Sequence, residues 1–138
     1  MKYVTFAELL ASPAGTIFQE FGKQGLSEPQ VFGDAFGAND FTCAQLFPSE
    51  TGPEVLGGYR EQYINKHGCE DAQWLVYYPS GFGRDGLYNT DGNRHFVIWE
   101  EADRRKFAEW LLNPDRAANQ QNDDPMAMIS VPIDDRMS

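Results

Sequence analysis

The sequence predicts an α+β domain: a mainly antiparallel, twisted sheet of about five or six strands, with two or three helices packed on one side of it. Three observations lead there. Short β-branched and aromatic runs recur between Gly, Pro and Asn-Asp punctuation. Apolar residues at helical spacing are confined to three stretches. The 138 residues are 41% hydrophobic and 14% aromatic, enough for one core without disulfide staples.

Thr5-Phe6-Ala7-Glu8 is a capping box, with a Thr hydroxyl for one free amide and a Glu reaching back for another. It opens a short helix whose inward face is Phe6, Leu9 and Leu10, stopped by Ser12-Pro13. Thr16 to Phe21 reads as a strand, followed by a turn at Gly22-Lys23-Gln24-Gly25. Gln30 to Phe36 and Phe41 to Phe47 read as two further strands, and Gly33, Gly37 and Asn39-Asp40 between them predict a bulged hairpin. Pro48 to Pro53 reads as a loop. Val55 to Lys66 has helical spacing weakened by Gly57-Gly58, with His67-Gly68 as its stop.

Gln73 to Tyr78 and His95 to Glu100 are the strongest strand signals. Between them lie a Gly-rich loop from Pro79 to Gly86 and an Asp91-Gly92 hairpin turn. Glu101 to Leu112 is a helix with Glu101 and Asp103 at the positive end of its dipole, an inward stripe of Phe107, Trp110 and Leu111, and an Asn113-Pro114 stop. This helix and the first are expected on the same sheet face. Trp74, Trp99 and Trp110 are expected in the core, and Cys43 as a small buried hydrophobe. The boundaries are therefore 1–114 for the domain and 115–138 for an irregular tail. In that tail, 126–133 is apolar again and either docks as an edge strand or meets a partner.

Acids outnumber bases 21 to 11, for a net charge of −10. Such a surface repels nucleic acid and anionic membranes and attracts basic protein surfaces, including those that ordinarily hold DNA or RNA. The charge is uneven. Residues 1–83 and 107–138 carry net −6 and −4, whereas 84–106 is balanced and Arg-rich. Arg84, Asp85, Tyr88, Arg94 and His95 are the candidate ligand- or partner-binding residues of that stretch, because two arginines bracketing a hairpin suit a phosphate or a carboxylate. Arg104, Arg105 and Lys106 read as a solvated helix face beside Glu101 and Glu109.

Gly81-Phe82-Gly83-Arg84-Asp85-Gly86 spells the dinucleotide fingerprint, but no helix starts behind it to receive a pyrophosphate. His67 and Cys69 are one close pair where structural zinc takes two. No nucleophile–base pair stands out. No catalytic residue, metal ligand or cofactor is assigned, and the chain reads as a non-enzyme. Two cysteines and an opening without a signal-peptide apolar stretch lead to an expected cytoplasmic setting.

The opening Thr5-Phe6-Ala7-Glu8-Leu9-Leu10, Pro13 and Gly15-Thr16-Ile17-Phe18 resembles that of small uncharacterised proteins of tailed phages and prophages. Arg84-Asp85-Gly86-Leu87-Tyr88, Phe96-Val97-Ile98-Trp99-Glu100 and a closing helix resemble their C-terminal half. The resemblance spans the two ends of the domain and not its middle. It implies a phage accessory protein in the host cytoplasm that inhibits a host defence system by stoichiometric binding of a host protein. Residue chemistry leaves two alternatives: a protein that sequesters an anionic nucleotide or signalling ligand through 81–95, and a small hydrolase or transferase.

Overall fold

The computed structural model describes residues 1–51, 75–77, 81–85, 93–120 and 129–132. The helix expected at 55–66 and the Asp91-Gly92 turn lie outside them, as do Trp74, His67, Cys69 and Tyr88.

The chain opens with a strand that sequence reading did not assign, β1 (Lys2–Thr5), whose Val4 is buried. Helix α1 (Phe6–Leu10) follows directly. Its capping box is formed as expected: Thr5 Oγ1 accepts from the Glu8 amide at 3.2 Å, and Glu8 Oε1 accepts from the Thr5 amide at 3.3 Å. The helix ends where Ser12 bonds back to the Glu8 carbonyl and Pro13 offers no amide to continue it.

Strands β2 (Ile17–Gly22) and β3 (Gly25–Leu26) form a hairpin; Gly25 has φ +96, a left-handed conformation that glycine adopts without steric cost. Strands β4 (Gln30–Phe36) and β5 (Asp40–Gln45) form the next, with Gly37 at φ +64. Their register shifts between Phe32 and Ala35, the expected bulge. Residues 49–51, read as loop, are instead strand β6 (Ser49–Thr51), paired with β7 (Leu75–Tyr77). The Gly-rich loop likewise contains a short strand, β8 (Gly83–Arg84), on the edge of β5. Strand β9 (His95–Ile98) leads into helix α2 (Glu101–Leu112) and, after Asn113, helix α3 (Pro114–Gln120). The stretch read as an irregular tail thus begins with a helix, its Pro at the first position where no amide partner is missed. Residues 129–132 pair with no strand among the described residues.

Every described ladder is antiparallel. The main sheet runs β1-β9-β2-β4-β5-β8, with β3 attached to β2. The α+β class and its mainly antiparallel sheet are as the sequence predicts. Strand β9 lies between β1 and β2, pairing Val97 with Tyr3 on one side and with Gln19 on the other. None of the described helices is long and apolar enough to cross a membrane.

The sheet curls. Strands β9 and β5 are separated by two others, which in a flat sheet would put them about 14 Å apart. Yet the Phe96 and Phe41 rings lie 6.4 Å from centroid to centroid. Inside the curl sits a phenylalanine core: Phe6, Phe18, Phe32, Phe41 and Phe96, with Val4 and Leu9. Phe18 meets Phe41 and Phe96 edge-on at 5.6 and 5.8 Å, the arrangement that aromatic quadrupoles favour. Helix α1 closes this face with Phe6 and Leu9. Trp99 and Trp110 are half-buried rather than core, and Cys43 is half-buried at the core's margin.

Helix α2 lies on the other face. Along β2, Phe18 points inward, so Gln19 points outward, and Gln19 Oε1 accepts from Trp99 Nε1 at 2.9 Å. Phe107 of α2 meets Trp99 edge-on at 5.1 Å. The two helices therefore cover opposite faces, not one. The inward stripe of α2 is also narrower than its spacing suggests: Phe107 and Trp110 are half-buried, whereas Leu111 is 68% exposed.

Candidate functional site

The candidate residues of 81–95 resolve into two ion-pair units and a ring pair, and Arg84 and Arg94 serve different carboxylates.

Arg94 lies in the residues that lead into β9 and points into the curl. Its side chain is 6% exposed. Nε and Nη2 donate to the two Glu20 oxygens, each at 2.7 Å. Nη1 and Nη2 donate to Asp85 at 2.7 and 3.3 Å. The fork is thus bidentate toward both acids. Its Cζ lies 5.0, 5.2 and 5.5 Å from the ring centres of Phe6, Phe96 and Phe41. Burial works to lower the affinity of this guanidinium for its proton. The hydrogen bonds and charges of Glu20 and Asp85 outweigh it and hold Arg94 above its ordinary value.

This triad joins distant parts of the sheet. Glu20 belongs to β2, beside β9, and Asp85 follows β8 at the far edge. The Asp85 amide also donates to the Phe41 carbonyl at 2.9 Å. Arg94 is therefore a clamp that holds the curl closed from within. The nearby Cys43 thiol is pushed up first by burial and then by the Asp85 charge, the opposite of an activated nucleophile.

Arg84 lies on the outer face, directly opposite Thr42. Its Nε donates to Asp40 Oδ2 at 2.7 Å, and its Nη2 contacts the same oxygen. Asp40 is 3% exposed in its side chain and accepts the Phe41 amide at 2.8 Å through Oδ1. Arg84 itself is 64% exposed and lies 5.6 Å over the exposed Phe36 ring. Beside it, exposed Phe82 rests on Gly33: a Cβ built at Gly33 would come within 2.9 Å of that ring. The strap 81–85 is thus fastened by Phe82 on Gly33, Arg84 on Asp40 and Asp85 on Arg94.

His95 faces the other way from Arg94, as strand alternation requires. Its Nδ1 shares a 2.8 Å hydrogen bond with the Tyr3 hydroxyl, the rings stacked at 5.8 Å. Of the expected set, then, the fold joins Asp85 to Arg94 and places Arg84 and His95 elsewhere. Asp40, Glu20 and Phe36 complete these units, and sequence reading did not assign them. Asp40 and Glu20 lie 44 and 74 residues from their arginines, a distance over which no local pattern operates. Among the described residues no three His, Cys, Asp or Glu side chains are grouped to hold a metal ion.

No family model, no curated protein and no solved structure matches this chain.

Proposed function

We propose that the chain is a non-enzymatic protein that acts by stoichiometric binding, its acidic surface facing a basic, nucleic-acid-binding surface on a host protein. The carrying observation is how its cations are spent. Arg84, Arg94, Arg105 and Arg116 are each paired with carboxylates of the chain itself. The net charge of −10 is the carboxylate surplus that remains after every Lys and Arg of the chain, these arginines included, has been counted. A surplus of this kind steers a basic partner into encounter and penalises an acidic one. The likeness of the two chain ends to phage proteins supports a phage accessory role, with a host defence component as the target.

The same pairing weighs against an anionic nucleotide at 81–95. A phosphate reaching Arg94 would have to displace two bidentate carboxylates from a buried site. A nucleotide present at a hundred times its dissociation constant would add about 2.7 kcal/mol of stability, readily seen as a thermal shift.

The experiment for the leading reading is capture of host proteins on the immobilised full chain at low and high salt. A basic nucleic-acid-binding protein should be retained at low salt, released at high salt, and displaced by duplex DNA or RNA. Retention of no basic protein at low salt refutes the reading.

A further inference from the structure

A second surface, apart from the arginine units, has the form of a socket. Where β9 runs into α2, Met1, Trp99, Asp103, Lys106, Phe107 and Trp110 line a cavity of about 140 Å³. A cavity of this size accommodates a group like benzene. Pockets for drug-sized ligands are several times larger. The space therefore suits one side chain and not a nucleotide.

Its walls are aromatic and its rim is ionic. Trp99 and Phe107 stand edge to face on one side. On the other, the Lys106 ammonium lies 5.7 Å from the Trp110 ring centre. The Asp103 carboxylate pairs with the N-terminal ammonium and caps α2 by accepting the Glu100 amide at 2.8 Å. Burial raises the Asp103 pKa, but these two hydrogen bonds and the charges of the N-terminus and Lys106 lower it more, so the carboxyl stays below its ordinary value and ionised. The mouth thus already holds ammonium groups in two ways, on a ring face and on a carboxylate. Lys106 is exposed, so water weakens its hold on the Trp110 ring face.

We propose that this cavity receives a single cationic side chain, arginine or lysine, of the basic partner protein, with Trp99, Phe107 and Trp110 around its stem and charge, Asp103 as its counter-ion, and Lys106 as the resident cation it replaces. This rests on the protein-binding reading above and gives it a specific anchor. Aromatic pockets that a partner's side chain fills and seals from water are where binding energy concentrates at interfaces.

The test uses the full chain and butylguanidinium as the probe, followed through the indole N–H resonances of Trp99 and Trp110. The probe should shift them saturably, and butyrate should not. Lys106→Ala, on the exposed helix surface, should tighten the probe about two- to fivefold by removing the competing cation. Trp110→Leu should weaken it by at least that factor. Weaker binding in Lys106→Ala, or binding of butyrate in place of the guanidinium, overturns the proposal. Capture separates this from the broader reading. If Trp110→Leu retains the basic partner as well as the parent does, the socket is wrong and the acidic surface stands. If the parent retains no basic protein, the partner reading fails, and the titration alone decides whether the cavity takes cations.

Discussion

Arg94→Met tests the clamp most directly. The substitution keeps an apolar stem against Phe6, Phe41 and Phe96 and removes the charge that neutralises Glu20 and Asp85. Breaking a buried ion group by removing one partner costs about 3–5 kcal/mol, because the remaining charges are left uncompensated. Glu20 is 29% exposed and Asp85 11%, so water reaches one acid better than the other and the lower end applies. A loss of about 3 kcal/mol, with a urea m-value of about 2 kcal/mol/M, lowers the unfolding midpoint by about 1.5 M. The assay is urea unfolding followed by circular dichroism and tryptophan fluorescence together. Adding Glu20→Gln and Asp85→Asn to Arg94→Met should restore much of the loss, since the penalty comes from the stranded carboxylates. A midpoint that moves by less than about 0.3 M in Arg94→Met would show that the triad does not hold the curl.

Two further outcomes follow from contacts already described. Gly33→Ala places a methyl against Phe82 and the Thr42 hydroxyl, which also accepts the Asp34 amide at 2.8 Å. It should cost about 1–3 kcal/mol by overpacking, and Phe82→Ala in the same chain should recover part of it; an unchanged midpoint would mean that the strap does not rest on β4. Asp103 has a lower pKa folded than unfolded, so its contribution to stability is whole above about pH 4 and fades as the pH falls through the folded value. Unfolding measured from pH 6 to pH 3 should therefore show the gap between the parent and Asp103→Asn shrinking toward the acid end, and a constant gap would contradict the ion pair.

Local chemistry was legible in the sequence and long-range pairing was not. The Thr5–Glu8 box, strands β2, β4 and β5 with the bulge between the last two, and α2 each announce themselves within a few residues, and the structure has them. Strand β1 was hidden because its four residues run straight into the helix cap that dominates the reading. Strands β6 and β8 are too short to carry an alternation pattern, being defined by their neighbours alone. Asp40 resembles a turn residue beside Asn39, and only the fold shows it buried beneath Arg84. Arg94 is the clearest case. Its position in an Arg-rich stretch suggests an anion site, yet the curl turns it inward, where Glu20 and Asp85 take its donors. Size misled in the same way for Trp99 and Trp110. Phenylalanine, without a polar atom to satisfy, fills the closed core instead.

The placement of β9 between β1 and β2 has a consequence for synthesis. Until residue 98 has left the ribosome, the first strand lacks the one neighbour it has among the described residues, because both flanks of the vacant position await the same late segment. Arg94 arrives with that segment, so the half-buried acids Glu20 and Asp85 wait without this counter-ion until the last described strand is threaded. The domain should therefore gain its cooperative stability in a single late step rather than accumulate it during elongation. A stalled nascent chain ending near residue 93 should remain protease-sensitive throughout, while one long enough to expose α2 outside the ribosome should be protected from its first residues onward.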